Sequence, residues 1–387
     1  MATSPLPMNI PSRLPDVGTS IFTVMSKMAL DYGAINLSQG FPDFSIDRKI
    51  IELVHRYMVE DHNQYAPMPG AVALRNAIAG VIGRTYGRTV DPETEITVTP
   101  GATEAIFSII AAFITTGDEV LLFDPSYDSY NPAIRLNGGI PVHLHMRQPD
   151  FSIDWAEVRQ KITSRTRMIM INTPHNPSGA ALSEADLLEL ERIALQHNLL
   201  VLSDEVYERL IYDGTPHQSV LRYPGLAAQS LAVFSFGKTF HATGWKVGYA
   251  VGPSALMKEV RKAHQFIAFS VNTPVQLALA EYLQTPEHYE RLGDFYQQKR
   301  DFFLEQIKGS SFEPRPCKGS YFQLVSYRGI SSQPDVAMAE ELTQKFKVAA
   351  IPVSVFYQDK TDNRLLRFCF AKKEETLAKA CEILRKL

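Results

Sequence analysis

Lys238 has the clearest chemical potential in this chain. It lies in the stretch SFGKTFHATGWKVGY (235–249), directly after an apolar run, and a second lysine, Lys246, follows eight residues later. A lysine enclosed by apolar walls near another positive charge has a lowered pKa and can form a Schiff base with an aldehyde. A solvated surface lysine is the alternative, and the aromatic residues of the same stretch argue against it: Phe236, Phe240, Trp245 and Tyr249.

The turn TPGATEA (99–105) also follows an apolar run and opens a helical pattern. Such a turn offers the amides of Gly101, Ala102 and Thr103 to an anion, because the first N–H groups of a helix lack intrahelical partners. An ordinary tight turn capped by the Thr103 hydroxyl is the alternative. The residues alone leave both interpretations open.

Two further polar groups follow apolar runs. Asp204 comes directly after residues 199–203, and a carboxylate at that depth needs a cationic partner unless it only caps a helix. Asn172 and Asn176 belong to NTPHNP (172–177), which forms either a ligand contact or an ordinary Asn-Pro turn. The carboxyl ends of strands are where α/β sheets place their ligand sites.

Short apolar runs alternate with amphipathic stretches through the middle of the chain. Strands that are apolar on both faces and separated by helices indicate a buried, mostly parallel sheet. We therefore predict an α/β fold with a mostly parallel seven-stranded sheet flanked by helices. Its strands are predicted at residues 96–99, 119–123, 141–145, 168–172, 199–203, 231–235 and 247–251.

The pattern becomes helical after Pro253, and one long helix at residues 287–307 is the predicted connection between two domains. The last eighty residues alternate strands and helices and predict a small α+β domain. Its strands are predicted at 320–325, 349–352 and 365–370, and the last contains Arg367. The predicted boundaries are 1–45 for an N-terminal arm and part of the small domain, 46–285 for the large domain, and 286–387 for the small domain. The proline-rich residues 1–15 predict an extended arm.

Composition excludes several classes of protein. The 387 residues are 45% hydrophobic and carry 39 Lys plus Arg against 42 Asp plus Glu, so the net charge is -3. This balance argues against nucleic-acid and membrane-surface partners and favours a small ligand. No cysteine or histidine pair has metal-ligand spacing, so no metal is predicted. Three cysteines, no secretory signal and no apolar stretch of membrane length predict a reducing, cytoplasmic location.

Taken together, the ordered motifs resemble the class I aminotransferases of pyridoxal-phosphate fold type I. The resemblance is greatest to the branch of bacterial methionine aminotransferase and kynurenine (glutamine-transaminase-K-like) aminotransferases, and it spans almost the whole chain. Its motifs are NLSQGFPDF (36–44), NQYAP (63–67), GATEA (101–105), DPSYDSY (124–130), NTPHNPSG (172–179), SDEVYE (203–208), SFGKTFHATGWKVGY (235–249) and LLRFCFAK (365–372).

The resemblance implies pyridoxal 5'-phosphate as cofactor. Lys238 would bond to its aldehyde and later carry the substrate's α-proton, and Asp204 would pair with its ring nitrogen. Tyr207 and Asn176 would hydrogen-bond its phenolic oxygen, and Tyr127 would lie against its ring. Asn172 would contact the residues that hold the cofactor and would not contact the cofactor itself.

The resemblance also implies the phosphate contacts. The turn of Gly101, Ala102 and Thr103 would bind the phosphate together with Ser235 and Lys246, and Tyr65 would reach it from a neighbouring subunit. Many aminotransferases have arginine in place of Lys246. Lysine is a point charge without a bidentate fork, so this sequence predicts less directional anchoring.

Arg367 would bind the α-carboxylate of the substrate, helped by the Gly40 amide and Asn176. A strand arginine facing solvent is the alternative, and its apolar neighbours argue against it. Phe22, Tyr65, Tyr127 and, across a homodimer interface, Asn272 would line the side-chain pocket. Aromatic walls without a second arginine favour methionine, aromatic, kynurenine- or glutamine-type donors over aspartate.

The expected activity is a ping-pong transfer of the amino group to a 2-oxo acid. A C–S β-lyase acting on cysteine conjugates, or a related eliminase, is the enzymatic alternative because both reactions begin with loss of the same proton. A non-catalytic regulator built on this fold is a further alternative. Only about thirty-five residues precede NLSQGF, and they carry no basic recognition helix.

Overall fold

The computed structural model describes residues 11–387, so the first ten residues of the predicted arm lie outside the described part of the chain. The strands are β1 Ile35–Asn36, β2 Ile96–Thr99, β3 Glu119–Asp124, β4 Ile140–His145, β5 Thr166–Asn172, β6 Leu200–Asp204, β7 Ser230–Ser235, β8 Gly248–Val251, β9 Glu313–Pro314, β10 Phe322–Ser326, β11 Val348–Ala349, β12 Ile351–Pro352 and β13 Leu365–Cys369.

The described residues also contain fifteen α-helices. They are α1 Ile21–Asp31, α2 Arg48–Val59, α3 Val72–Tyr86, α4 Ala102–Phe113, α5 Tyr130–Leu136, α6 Trp155–Lys161, α7 Glu184–His197, α8 Pro224–Ala227, α9 Phe236–Thr239, α10 Ser254–Ile267, α11 Thr273–Tyr282, α12 Glu287–Glu290, α13 Leu292–Ile307, α14 Asp335–Gln344 and α15 Glu374–Leu384.

Seven strands form the central sheet in the order β2-β8-β7-β6-β5-β3-β4, and only β8 runs antiparallel to its neighbours. The strands other than the edge strand β4 are almost entirely buried, so both faces of the sheet are covered over most of its width. In β3, Val120 and Leu122 belong to one core cluster, whereas Leu121 and Phe123 belong to the other. The predicted α/β fold with a mostly parallel seven-stranded sheet is confirmed.

A second sheet of four antiparallel strands, β12-β13-β10-β9, lies in the C-terminal part of the chain. Arg367 of β13 is opposite Leu324 of β10 and Ile351 of β12. Near the N-terminus, β1 pairs in parallel with β11, which joins residues 35–36 to the C-terminal part. A small α+β unit in the C-terminal part of the chain agrees with the prediction. The predicted domain boundaries at residues 45 and 285 stay predictions.

Two predicted elements differ from the structure. The single helix expected at 287–307 is divided into α12 and α13 at Arg291, whose φ of -95° and ψ of 8° leave the helical region. The start of α13 packs closely on a backbone, since a Cβ at Gly293 would lie 2.9 Å from Ile211 O. The strand expected at 349–352 is two short strands, β11 and β12, which pair with different sheets.

A search for membrane-crossing elements among residues 11–387 finds no helix with the length and apolar character that a span requires.

Candidate functional site

A cavity of about 340 Å³ lies where the carboxyl ends of the central strands meet β13. It is lined by residues from both sheets and from the loop between β1 and α2. Every predicted site residue except Tyr65 and Asn272 lines this cavity: Phe22, Gly40, Gly101, Ala102, Thr103, Tyr127, Asn172, Asn176, Asp204, Tyr207, Ser235, Lys238, Lys246 and Arg367.

Lys238 projects from the short helix α9, which begins directly after β7. Its Nζ donates to the Tyr321 hydroxyl at 2.9 Å and lies 3.5 Å from Gly40 O. Burial lowers the pKa of Lys238 to about 8, and the positive charges of Arg367 and Lys246 act in the same direction. A substantial fraction of this amine is therefore neutral near physiological pH and able to accept a proton.

Asp204 ends β6 and is buried. Tyr130 Oη donates to its Oδ2 at 2.6 Å, and the Val206 amide donates to its Oδ1 at 3.3 Å. Burial raises the pKa of Asp204 to about 6 in spite of these hydrogen bonds, which favour the ionised form. A buried carboxylate of this kind is suited to pair with a cationic group of a ligand.

Asn172 and Asn176 connect Asp204 to Arg367 through side-chain hydrogen bonds. Asn172 lies opposite Asp204 in the sheet register and donates from Nδ2 to Asp204 O at 2.9 Å. Its Oδ1 accepts from the Asn176 amide at 2.8 Å, and Asn176 Oδ1 accepts from Arg367 Nη1 at 2.7 Å. The Nδ2 group of Asn176 is thereby left to donate toward the cavity.

Arg367 is completely buried, and its guanidinium packs on an aromatic ring, with Cζ 3.8 Å from the centre of Phe322. Its Nη2 donates to Ser38 O at 3.1 Å, whereas its Nε has no hydrogen-bond partner among residues 11–387. Burial lowers the pKa of Arg367 to about 10, so the group remains a cation at neutral pH. A buried cation whose hydrogen-bond partners are neutral favours binding of an anion such as a carboxylate.

The opposite end of the cavity is built from the start of α4. Gly101 precedes this helix with a φ of 82°, and no side chain of the described residues caps its first amides. A Cβ at Gly101 would lie 3.2 Å from Lys246 Nζ, so the Lys246 amine lies beside the N-terminus of α4. Free amides beside a positive charge form an anion site. Thr103 and Ser235 line the same region.

Two tyrosines form the walls between these ends. Burial raises the pKa of Tyr127 to about 12 and raises that of Tyr207 further, so both hydroxyls remain protonated donors at neutral pH. The Tyr207 ring meets the Tyr321 ring edge-on, with centroids 5.1 Å apart. Phe22 packs beside Tyr127, with ring centroids 6.5 Å apart.

The structure places neither Tyr65 nor Asn272 in the cavity of its own chain. The Tyr65 side chain is 83% exposed and contacts Phe269 edge-on. Asn272 caps α11 by accepting from the Val275 amide at 3.1 Å. Contacts from these two residues to a site therefore require a second copy of the chain.

The sequence reasoning missed several residues of the site, among them three with direct contacts to predicted site residues: Tyr130, Tyr321 and Phe322. Tyr130 stands three residues after Tyr127 in a motif that was singled out, so helical spacing could have indicated it. Phe322 begins β10 and Tyr321 directly precedes it. Neither carries a comparable signal, because their contacts with Lys238 and Arg367 join distant parts of the chain. Among residues 11–387, no three potential metal ligands cluster.

Comparisons with known proteins give a consistent result. The family model described as "Aminotransferase class I and II" matches residues 32–384. Methionine aminotransferase of Escherichia coli K12 is 50% identical over 377 residues, which cover 97% of this chain and 98% of the relative. Kynurenine–oxoglutarate transaminase of Dictyostelium discoideum is 33% identical over 410 aligned residues, which cover 96% of this chain and 94% of the relative.

A solved structure shows the same similarity in three dimensions. A crystal structure of an Escherichia coli protein, reported with a methionine aminotransferase function, superposes with a TM-score of 0.97 at 50% identity. The match covers 98% of this chain and 100% of that one.

Proposed function

The chain belongs to the class I and II aminotransferases, and we propose that it transfers the α-amino group of methionine, or of an aromatic, kynurenine- or glutamine-type amino acid, to a 2-oxo acid with pyridoxal 5'-phosphate as cofactor. The aminotransferase identified from the sequence is thereby confirmed. The observation that carries the proposal is the convergence of Lys238, Asp204 and Arg367 on one cavity.

The residues of the cavity fit pyridoxal phosphate. Its phosphate would be held by the amides before α4 and by Thr103, Ser235 and Lys246. Its ring nitrogen would be held by Asp204, a buried carboxylate that accepts hydrogen bonds only from neutral groups among residues 11–387. When bound, this cofactor supplies an aldehyde that bonds to amines and a pyridinium ring that accepts electrons from a breaking bond.

Each end of the cavity has a separate task in this reaction. Arg367 would hold the α-carboxylate through its fork of N–H groups, with Asn176 and the Gly40 amide completing the contact. Lys238, partly neutral because of burial, would take the α-proton on Nζ and return it at the neighbouring carbon. Tyr207 and the free Nδ2 of Asn176 would donate to the phenolic oxygen.

The cavity lining supports an apolar or aromatic donor. Its only cations among the described residues are Lys238, Lys246 and Arg367, and each already has a task. No lining cation is left for the distal carboxylate of aspartate. Phe22 and Tyr127 offer aromatic walls that suit the methionine thioether or an aromatic ring.

We infer in addition that the enzyme is a homodimer with shared sites. Tyr65 and Phe266 are 83% and 86% exposed, and Ile267 and Phe269 are also exposed. A surface with several large exposed apolar side chains is typical of a protein interface. A second subunit covering it would bring Tyr65 to the partner's phosphate and Asn272 to the partner's substrate. The cytoplasmic location stays a prediction.

Steady-state kinetics with a panel of amino donors and 2-oxo acids tests the function. We expect parallel lines in double-reciprocal plots, as in a ping-pong reaction, and kcat/KM for methionine or an aromatic donor well above that for aspartate. Aspartate as the preferred donor would contradict the substrate class. Formation of pyruvate and ammonia from a cysteine conjugate without a 2-oxo acid would instead identify a β-lyase.

A further inference from the structure

The hydroxyl of Tyr321 lies between two groups of the cavity that come from distant parts of the chain. It receives a hydrogen bond from Lys238 Nζ at 2.9 Å and donates to Gly40 O at 2.5 Å. A hydroxyl has one hydrogen, and a carbonyl oxygen only accepts. The hydrogen therefore points to Gly40, and a lone pair of the Tyr321 oxygen faces Lys238.

This arrangement orients the amine. A neutral amine has two hydrogens and one lone pair, and Tyr321 Oη holds one of those hydrogens. Gly40 O, at 3.5 Å, lies on the same side of Nζ. With its hydrogens directed to this side, the lone pair of Nζ is left to face the cavity, where a substrate α-proton would arrive.

The same hydroxyl anchors the loop of residues 38–43, which we call the carboxylate loop. Arg367 donates to Ser38 O at 3.1 Å, and Lys372 Nζ donates to Phe41 O at 2.8 Å. Among the three anchoring residues, Tyr321 also accepts a hydrogen bond from Lys238. A Cβ at Gly40 would lie 2.7 Å from the Phe322 ring, so the loop and β10 are in close contact.

We propose that Tyr321 is a positioning residue that orients the free amine of Lys238 toward the substrate and couples this amine to the carboxylate loop. The inference rests on the proposed function and adds a residue to it. In the proton transfer, the α-proton leaves the substrate carbon for the lone pair of Nζ, and the electrons of the C–H bond stay with the bound substrate. The resulting ammonium donates to Tyr321 Oη, which is buried and neutral.

Several titratable groups face Lys238 besides Tyr321. They are Asp204 from β6, Tyr207 after it, Lys246 before β8, and Arg367 and Cys369 from β13. A change to Phe at Tyr321 leaves all of these in place and removes one acceptor for the ammonium. The loss of that hydrogen bond disfavours the charged form, so the pKa of Lys238 falls.

The test compares Tyr321→Phe with the matched control Tyr327→Phe in the full-length chain. Tyr327 is also buried and directly follows β10, but its hydroxyl donates to Gln333 O at 2.9 Å, whereas the Tyr321 hydroxyl contacts Lys238 and Gly40. Competitive acetylation of the cofactor-free chain between pH 6 and 10, read at Lys238 by mass spectrometry, gives the titration midpoint. We expect this midpoint to fall by about one pH unit in Tyr321→Phe alone.

Two further measurements use the enzyme with pyridoxal phosphate bound. Hydrogen exchange of residues 38–43 should become about tenfold faster in Tyr321→Phe, because one anchor of the loop is lost. The rate of a single turnover with methionine should fall about 10- to 100-fold, with a larger isotope effect for methionine deuterated at Cα. Tyr327→Phe should change neither quantity.

An unchanged midpoint at Lys238 would overturn the inference, and so would faster loop exchange without a change at Lys238, since Tyr321 would then be only structural. Absence of turnover in the wild-type enzyme would contradict the proposed function instead. Because acetylation needs no turnover, the two failures are distinguishable.

Discussion

The two ends of the cavity differ in how their cations are held. At the carboxylate end, Arg367 is buried and fixed by Asn176, Ser38 O and the Phe322 ring before any ligand arrives. At the phosphate end, Lys246 is exposed, has a left-handed backbone with φ of 53°, and makes no side-chain hydrogen bond within the described residues.

The proposed function gives this difference a physical reason. A substrate that binds and leaves in every cycle benefits from a preorganised site, since less conformational entropy is lost on each binding event. A cofactor that stays bound needs to order the exposed Lys246 side chain only once, and the negative charge of its phosphate attracts that side chain. We therefore expect changes at the carboxylate end to affect turnover and changes at the phosphate end to affect cofactor retention.

The largest effect is expected at the carboxylate end. Arg367→Lys loses the bidentate fork and the stacking on Phe322, so kcat/KM for methionine should fall about 100- to 1,000-fold. Excess pyridoxal phosphate should not restore it. Steady-state kinetics with and without added pyridoxal phosphate measures kcat/KM and any recovery. Recovery with added cofactor would contradict the expectation that Arg367 acts on the substrate and not on cofactor retention.

The phosphate end should show the opposite behaviour. Lys246→Ala removes one charge-assisted hydrogen bond, so the Kd of pyridoxal phosphate should rise about 10- to 100-fold. Saturating cofactor should restore most of the turnover. An absorbance titration of the cofactor-free enzyme gives Kd, and Lys246→Arg is the control that keeps the charge and should stay within about threefold of wild type.

Asp204 lies between the two ends and links function to stability. Its pKa of about 6 in the folded, cofactor-free enzyme exceeds the value of about 3.9 in an unfolded chain. The folded state therefore binds the proton more tightly. The stability that this preference contributes is complete below about pH 4 and is lost as the pH rises through 6.

Asparagine does not ionise, so Asp204→Asn avoids the stability that wild type loses as the pH rises. At pH 8 the free energy of unfolding of the cofactor-free variant should exceed that of wild type by about 1–3 kcal/mol. The difference between variant and wild type should be smaller at pH 5. Urea unfolding at both pH values measures it, and equal differences would show that burial of the charge is not the cause. The variant should lose transaminase activity.

The smallest effect is expected from Ser235→Ala at the phosphate end. A neutral hydroxyl contributes less than a charged group, so the Kd of pyridoxal phosphate should rise only about 3- to 10-fold. Isothermal titration of the cofactor-free enzyme measures this change. An effect as large as that of Lys246→Ala would indicate that the hydroxyl, rather than the lysine charge, holds the phosphate.

Much of the fold and of the site could be predicted from local sequence. Mostly apolar runs of four or five residues mark the strands, because strands covered on both faces are largely apolar. Chemistry-bearing residues placed directly after those runs, such as Asp204 after β6 and Lys238 after β7, had to meet at one edge, because parallel strands share that edge. The motifs then identified the family.

Contacts between sheets could not be predicted in this way. Asn176 and Arg367 are 191 residues apart, and Lys238 and Tyr321 are 83 apart. Their hydrogen bonds depend on how β13 and β10 of the second sheet are set against the first sheet. Local periodicity carries no information about that placement, so Tyr321 and Phe322 became visible only in the structure.

The sequence by itself determined the family, the seven strands and the polar residues at their carboxyl ends, because hydrophobic periodicity and motif spacing are local properties of a chain. Only the tertiary structure decided that Arg367 is a buried cation held by Asn176 and Phe322, that Tyr321 joins Lys238 to Gly40, and that Tyr65 lies outside the cavity of its own chain. Burial and distance between remote residues are set by packing, and packing depends on all the elements at once.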